Sequence, residues 1–218
     1  MALLDSSDMS SADGWTQVQT DGTNTFNSSQ GGRDSTLFHD KLNANWDTNG
    51  AYRTTGQTGA TGHTIYWDAY FPDATDFLME LRSSAGIAFS GQSALWFTGT
   101  VFKVFGGGAN TESATTATWY NCRGVINSDG TVTYSFHVDD GTDQQDIASW
   151  TTVDSSIVGS TFNYTTNTIY FATNAFSSLD QYVVDTFNYT DDGVVSASSG
   201  TSGSSATKST RMRRKRFR

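Results

Sequence analysis

The stretch TWYNCRGVINSDGTVTYSFHVD, Thr118–Asp139, decides the fold class. Two β-rich runs, Thr118–Ile126 and Thr131–Asp139, flank NSDG at Asn127–Gly130. An Asp-Gly pair between such runs tolerates the positive φ angles that a tight hairpin demands. In the second run Val132, Tyr134, Phe136 and Val138 alternate with Thr131, Thr133, Ser135 and His137. A period of two gives one apolar and one polar face, as in an antiparallel sheet with one side buried.

Working outward, runs of the same length recur along the chain. They are Trp15–Gln19, Thr36–His39, Thr64–Phe71, Phe77–Arg82, Ala94–Phe97, Thr100–Phe105, Ala148–Val153, Thr168–Thr173 and Gln181–Tyr189. Clusters of Gly, Asn, Asp and Ser separate them. No window carries the 3.6-residue spacing of an amphipathic helix. Short helical turns are expected at most at Ala2–Met9 and Asp143–Ala148. Thr54–Gly62 and Gly106–Thr118 read as long loops. About eleven strands without interposed helices predict a sandwich or a barrel.

Composition agrees. Only Glu80 and Glu112 are Glu among 22 acidic residues; the rest are Asp, a turn and cap former rather than a helix former. Aromatics make up 13% of the chain, enough apolar stock for a core that needs no disulfide. The lone Cys122 excludes an intramolecular disulfide and reads as a buried, inert thiol. The N-terminus lacks a basic start and a long apolar run, so it does not read as a signal peptide, and no segment reads as a membrane span. The chain is expected to be used without secretion, or to have lost a leader. The N-x-[ST] matches at Asn27, Asn163 and Asn188 read as chance in a Ser/Thr-rich chain.

Charge divides the molecule. The chain carries 13 Lys and Arg and a formal net charge of -9. Seven of those 13 lie between Lys208 and Arg218, which leaves six against all 22 acidic residues and puts the body at -16. Residues 1–14 read as an N-terminal arm, 15–192 as the sandwich, 193–210 as a flexible Ser/Gly linker and 211–218 as a basic tail, disordered or extended.

The segment from NSDG through ASWTTVD and TIYFAT to QYVVDTFNYTDD resembles the concanavalin A-like lectin/glucanase superfamily, which includes laminin G-like domains. Tyr182, Val183, Asp185, Phe187 and Tyr189 fit its closing strand. The middle stretch FLMELRSSAGIAFSGQSALWF resembles its paired strands. The resemblance spans about residues 10–192. It implies an all-β fold, a jelly-roll sandwich of two antiparallel sheets, and more loosely carbohydrate binding. Glucanases of this superfamily use an E-x-D-x-x-E strand, and this chain has none. Lyase-like members carry R-x-E-L-R. Here Glu80, Leu81 and Arg82 stand, with Leu78 in place of the first Arg and no Q-[IV]-H partner. MELR therefore reads as a strand with Leu81 in the core and Glu80 and Arg82 paired on the opposite face.

Three groups of residues are candidate sites. Trp46 lies in a polar loop with Asn45 and Asp47 and reads as a sugar-stacking platform. Trp67, Trp96, Trp119 and Trp150 are weighed with it and read mostly as core. Asp139, Asp140 and Asp143 are the best Ca²⁺ candidates in a chain that otherwise implies no cofactor, although DDGTDQQD lacks the register of a calcium loop. Arg211, Met212, Arg213, Arg214, Lys215, Arg216, Phe217 and Arg218 read as an anchor. Their charge fits nucleic acid or an acidic protein, and Met212 and Phe217 favour a groove in an assembly. The reading is a non-enzymatic binding or structural module on a virion or extracellular surface. It is oligomeric in its assembly, has glycan-recognition potential and attaches through its tail. Alternatives are a polysaccharide-degrading enzyme of the same fold and a jelly-roll capsid protein whose tail binds packaged nucleic acid.

Overall fold

The computed structural model describes residues 2–7, 14–19, 23–26, 37–40, 49–72, 76–82, 85, 94–156, 168–175 and 181–191. The deciding hairpin is present. β11 (Thr118–Ile126) pairs antiparallel with β12 (Val132–Val138), from Tyr120↔Val138 to Ile126↔Val132. Asn127 N–H donates to Thr131 O at 2.8 Å and Gly130 N–H donates to Asn127 O at 3.0 Å. Gly130 has φ +80°, the left-handed residue that closes such a loop.

The remaining strands are β1 (Leu3–Ser7), β2 (Trp15–Gln19), β3 (Thr23–Phe26), β4 (Leu37–Asp40), β5 (Asn49–Thr58), β6 (Thr64–Phe71), β7 (Asp76–Arg82), β8 (Ala94–Thr98), β9 (Val101–Phe105), β10 (Thr111–Ser113), β13 (Thr151–Ser155), β14 (Thr168–Ala175) and β15 (Gln181–Thr190). They form two sheets. An eight-stranded sheet runs β13-β12-β11-β6-β15-β4-β3, with β1 also on β15, and a seven-stranded sheet runs β10-β9-β8-β7-β14-β5-β2. Every pairing is antiparallel. The protein is an all-β sandwich, and its helical content among the described residues is one 3-10 turn, Gln144–Asp146.

One side of each sheet fills the core. Phe77, Met79 and Leu81 from β7, Phe97 from β8 and Phe102 from β9 meet Ile65, Trp67 and Phe71 from β6 and Tyr120, Tyr134 and Phe136 from the hairpin. Phe71 stacks on Phe97 with ring centroids 4.0 Å apart and planes 9° apart. Cys122 is fully buried and free, and burial, reinforced by the charge of Asp68, pushes its thiol up, so it is held protonated and inert.

Several expectations are corrected. The helical turn expected within Ala2–Met9 is replaced, among the described residues, by a strand: Leu3–Ser7 pairs with β15 and is pinned by Asp5 to Arg53 of β5 in a two-point ion pair (2.6 and 2.7 Å). The loop read at Thr54–Gly62 is half strand, because β5 continues to Thr58. Its register on β14 shifts between Tyr170↔Thr54 and Thr168↔Thr58, and Gly56 at φ +66° takes up the irregularity. The loop read at Gly106–Thr118 contains the short edge strand β10. Thr23–Phe26 is a strand that its TNTF sequence, with one large apolar residue, did not announce. The turn expected at Asp143–Ala148 is the 3-10 turn.

Candidate ligand face

Residues directly opposite each other in a sheet share a face, so register alone maps the outer surface of the seven-stranded sheet. One row reads Phe105↔Ala94↔Glu80↔Ala172↔Tyr52, across β9, β8, β7, β14 and β5. Four interstrand steps separate its ends, about 19 Å. The row is buried at its centre. Glu80 sits between two alanines, with all three at 4% exposure or less, while Phe105 and Tyr52 at the ends are half-buried. Neighbouring rows add further side chains. Trp96 lies opposite Lys103 on one side, and Tyr170 lies opposite Arg82 on the other. Trp96, Lys103 and Tyr170 are half-buried too.

The electrostatics of this face are specific. Arg82 Nη1 lies 3.5 Å from Glu80 Oε2, and both side chains are 5% exposed. Lys103 Nζ stands 3.6 Å from the centroid of Trp96, a close cation–π contact, and Trp96 meets Phe105 at 5.9 Å between centroids. Leu81 is in the core, so the alternation read from MELR holds in three dimensions. The row thus carries half-buried aromatic side chains toward its ends and a buried carboxylate beside a guanidinium near its centre. Aromatic faces accept the C–H faces of pyranose rings, and the charged groups are suited to hydroxyls. Glu80 is the only carboxylate among the described side chains of this face. Hydrolysis of a glycosidic bond ordinarily takes two.

The sites read from sequence fall elsewhere. Trp46, Asn45 and Asp47 lie outside the described residues, as does the tail Arg211–Arg218. Asp139 and Asp140 serve their own turn. Asp139 Oδ1 accepts from Gly141 N–H at 3.0 Å and Asp140 Oδ1 from Thr142 N–H at 2.9 Å, while Asp140 Oδ2 stands 3.5 Å from His137 Nε2. The hydrogen bonds from Thr142 hold the Asp140 carboxyl below the usual range. Asp143 is exposed and precedes the 3-10 turn. Among the described residues no three His, Cys, Asp or Glu side chains are grouped to hold a metal ion. Sequence reasoning passed over Tyr52, Lys103, Phe105 and Tyr170 and assigned most tryptophans to the core. The available signal was Lys103, a cation at the centre of the apolar run VFKVF, which marks the outward phase of β9.

No protein-family model matches the chain, and no curated protein matches it. Solved structures do. The globular domain of T. cruzi calreticulin superposes with a TM-score of 0.56 at 9% identity, covering 88% of this chain and 89% of that one. The exoplasmic/lumenal domain of VIP36, in a form bound to Ca²⁺ and mannose, gives 0.53 at 8% identity, covering 84% and 85%. A putative β-glucanase from Mycobacterium abscessus gives 0.50 at 12% identity, covering 87% and 100%. At such identities the likeness is one of fold: the chain shares the antiparallel β-sandwich of these structures.

Proposed function

We propose that the protein is a non-enzymatic glycan-binding module, with its ligand in the trough on the outer face of the seven-stranded sheet. The observation that carries the reading is the row Phe105–Ala94–Glu80–Ala172–Tyr52, flanked by Trp96 and Tyr170. Small residues flank one carboxylate at the centre, and aromatics stand at both ends. The fold likeness to a mannose-bound domain supports a sugar as the occupant, and a single carboxylate among the described side chains of the face supports binding over hydrolysis. Trp46, with Asn45 and Asp47, adds a further stacking contact to the ligand. The body is displayed on a virion or other extracellular surface, and Arg211–Arg218 anchor it to its assembly.

Oligosaccharide binding by the full chain tests the reading. Trp96→Ala is expected to weaken binding at least tenfold with the fold intact, since one stacked ring contributes about 1.4 kcal/mol or more. Turnover of a polysaccharide that disappears in Glu80→Gln would instead establish an enzyme of the same fold. For the tail, removal of Thr210–Arg218 is expected to leave the body folded and to abolish attachment. Undiminished attachment of the truncated chain would refute the anchoring role.

A further inference from the structure

Six cations precede Lys208, and four of them, Arg53, Arg82, Lys103 and Arg123, lie among the described residues. Three of the four have polar partners. Arg53 bonds Asp5, Arg82 stands beside Glu80, and Arg123 bonds Tyr66 against the Trp150 ring. Lys103 differs. Among the described residues its ammonium pairs with no carboxylate, and what it meets is the Trp96 ring, 3.6 Å from Nζ to the centroid.

Register explains this setting. Lys103 lies between Trp96 of β8 and the exposed Thr111 of the edge strand β10. Glu112, the carboxylate of β10, lies opposite Phe102 and so takes the phase of a core residue. Glu80 is two strands across and two residues along from Lys103. That offset is about 12 Å between backbone positions. It exceeds the screening length of about 8 Å at physiological salt. Phe105 follows Lys103 by two residues on the same face of β9, and its ring meets that of Trp96. Lys103, Trp96 and Phe105 therefore form one cluster at this end of the row, apart from the carboxylate near its centre.

A cation–π contact holds an ammonium in place and leaves its charge intact. The long lysine stem is thereby ordered before a ligand arrives, which lowers the entropy cost of pairing with one. Sugar hydroxyls can be met by neutral donors, whereas a positioned full charge beside aromatic rings is suited to an anionic group. We propose that the glycan is acidic, and that the Lys103 ammonium pairs with a carboxylate or sulfate of a saccharide packed against Trp96 and Phe105. This inference rests on the placement of a glycan on this face, and it deepens that reading by naming the ligand class. The strongly acidic body repels a dense polyanion, so the class is narrowed to glycans with sparse negative charge.

Calorimetric titration of the full chain at physiological salt, with matched probes, tests the proposal. One pair is an oligosaccharide ending in glucuronic acid and its carboxamide. The other is a 6-sulfated galactoside and its unsulfated parent. The readout is the ratio of affinities within a pair, acidic over neutral. In wild type the acidic member of at least one pair is expected to bind more tightly, and which pair responds distinguishes a carboxylate from a sulfate. Lys103→Met keeps an apolar stem over the indole and removes the charge. It is expected to lower the ratio about tenfold, the difference between a charge-assisted and a neutral hydrogen bond. Lys103→Arg is expected to retain the ratio. Attraction of the basic tail for the acidic probe is common to all three proteins and cancels in the comparison. Acidic probes that bind no better than their neutral partners, or not at all, would overturn the proposal. So would a ratio unchanged in Lys103→Met. If Trp96→Ala still weakens binding in either case, the glycan reading survives and only the acidic ligand class fails. Binding of every probe that Trp96→Ala leaves unchanged would overturn both.

Discussion

Arg53 shows how much rests on one side chain. Its register partners on the inner face are Trp15 and Phe171, so a guanidinium points into the apolar interior. It is tolerated because Nε and Nη2 both donate to the carboxylate of Asp5, Nη2 also donates to Ser6 O at 3.0 Å, and the Trp15 and Phe187 rings lie about 6 Å from its central carbon. Removing one partner leaves the other charge buried. Arg53→Met is expected to cost about 2 kcal/mol, toward the lower end because Asp5 retains some exposure. The double change Asp5→Leu with Arg53→Met is expected to recover most of that loss, since an apolar replacement leaves no charge to hydrate. Urea titration of both proteins checks this. A double variant as unstable as the single one would show that the pair itself, and not the orphaned charge, carries the stability.

At the scale of elements, the hairpin is the part best specified locally. Gly130 holds a left-handed conformation at φ +80°, so Gly130→Ala is expected to destabilise the protein by about 1 kcal/mol, read from the urea midpoint at unchanged slope. The same locality explains what could be read from sequence. Alternation in β12 and the apolar runs of β6, β7 and β15 were legible because each buries one face or both against the core. β1, β3, β5 and β10 were not, because their strand state is imposed from outside. Leu3–Ser7 becomes a strand by pairing with β15 and by the Asp5–Arg53 bond, and TTGQT in β5 by pairing with β14. The candidate trough was half legible. MELR announced Glu80 and Arg82 on one face, but its aromatic walls come from β5, β8, β9 and β14, and only the register brings Tyr52, Trp96, Phe105 and Tyr170 together.

At the scale of the whole molecule, the two sheets do different work. The eight-stranded sheet carries the hairpin and the segment Asp139–Trp150 and closes its outer face with its own residues: Gln144 over Asp68, and Trp150 against Tyr66. The seven-stranded sheet turns half-buried aromatics and Lys103 outward. Half-buried Tyr70, Trp119 and Trp150 also stand on the eight-stranded sheet, so the basis for placing the ligand on the seven-stranded one is its row of small residues around Glu80 between aromatic ends. The body's charge of -16 does not interfere, since the described side chains of the trough include two cations and one carboxylate. Amide and indole NMR shifts of the full chain, recorded during titration with an oligosaccharide that it binds, test the placement most directly. The account predicts shifts concentrated at Tyr52, Glu80, Trp96, Lys103, Phe105 and Tyr170, with Trp150 and Asn121 unmoved. Shifts centred on Tyr66, Trp119 and Trp150, with the Trp96 indole silent, would put the ligand on the other sheet and contradict it.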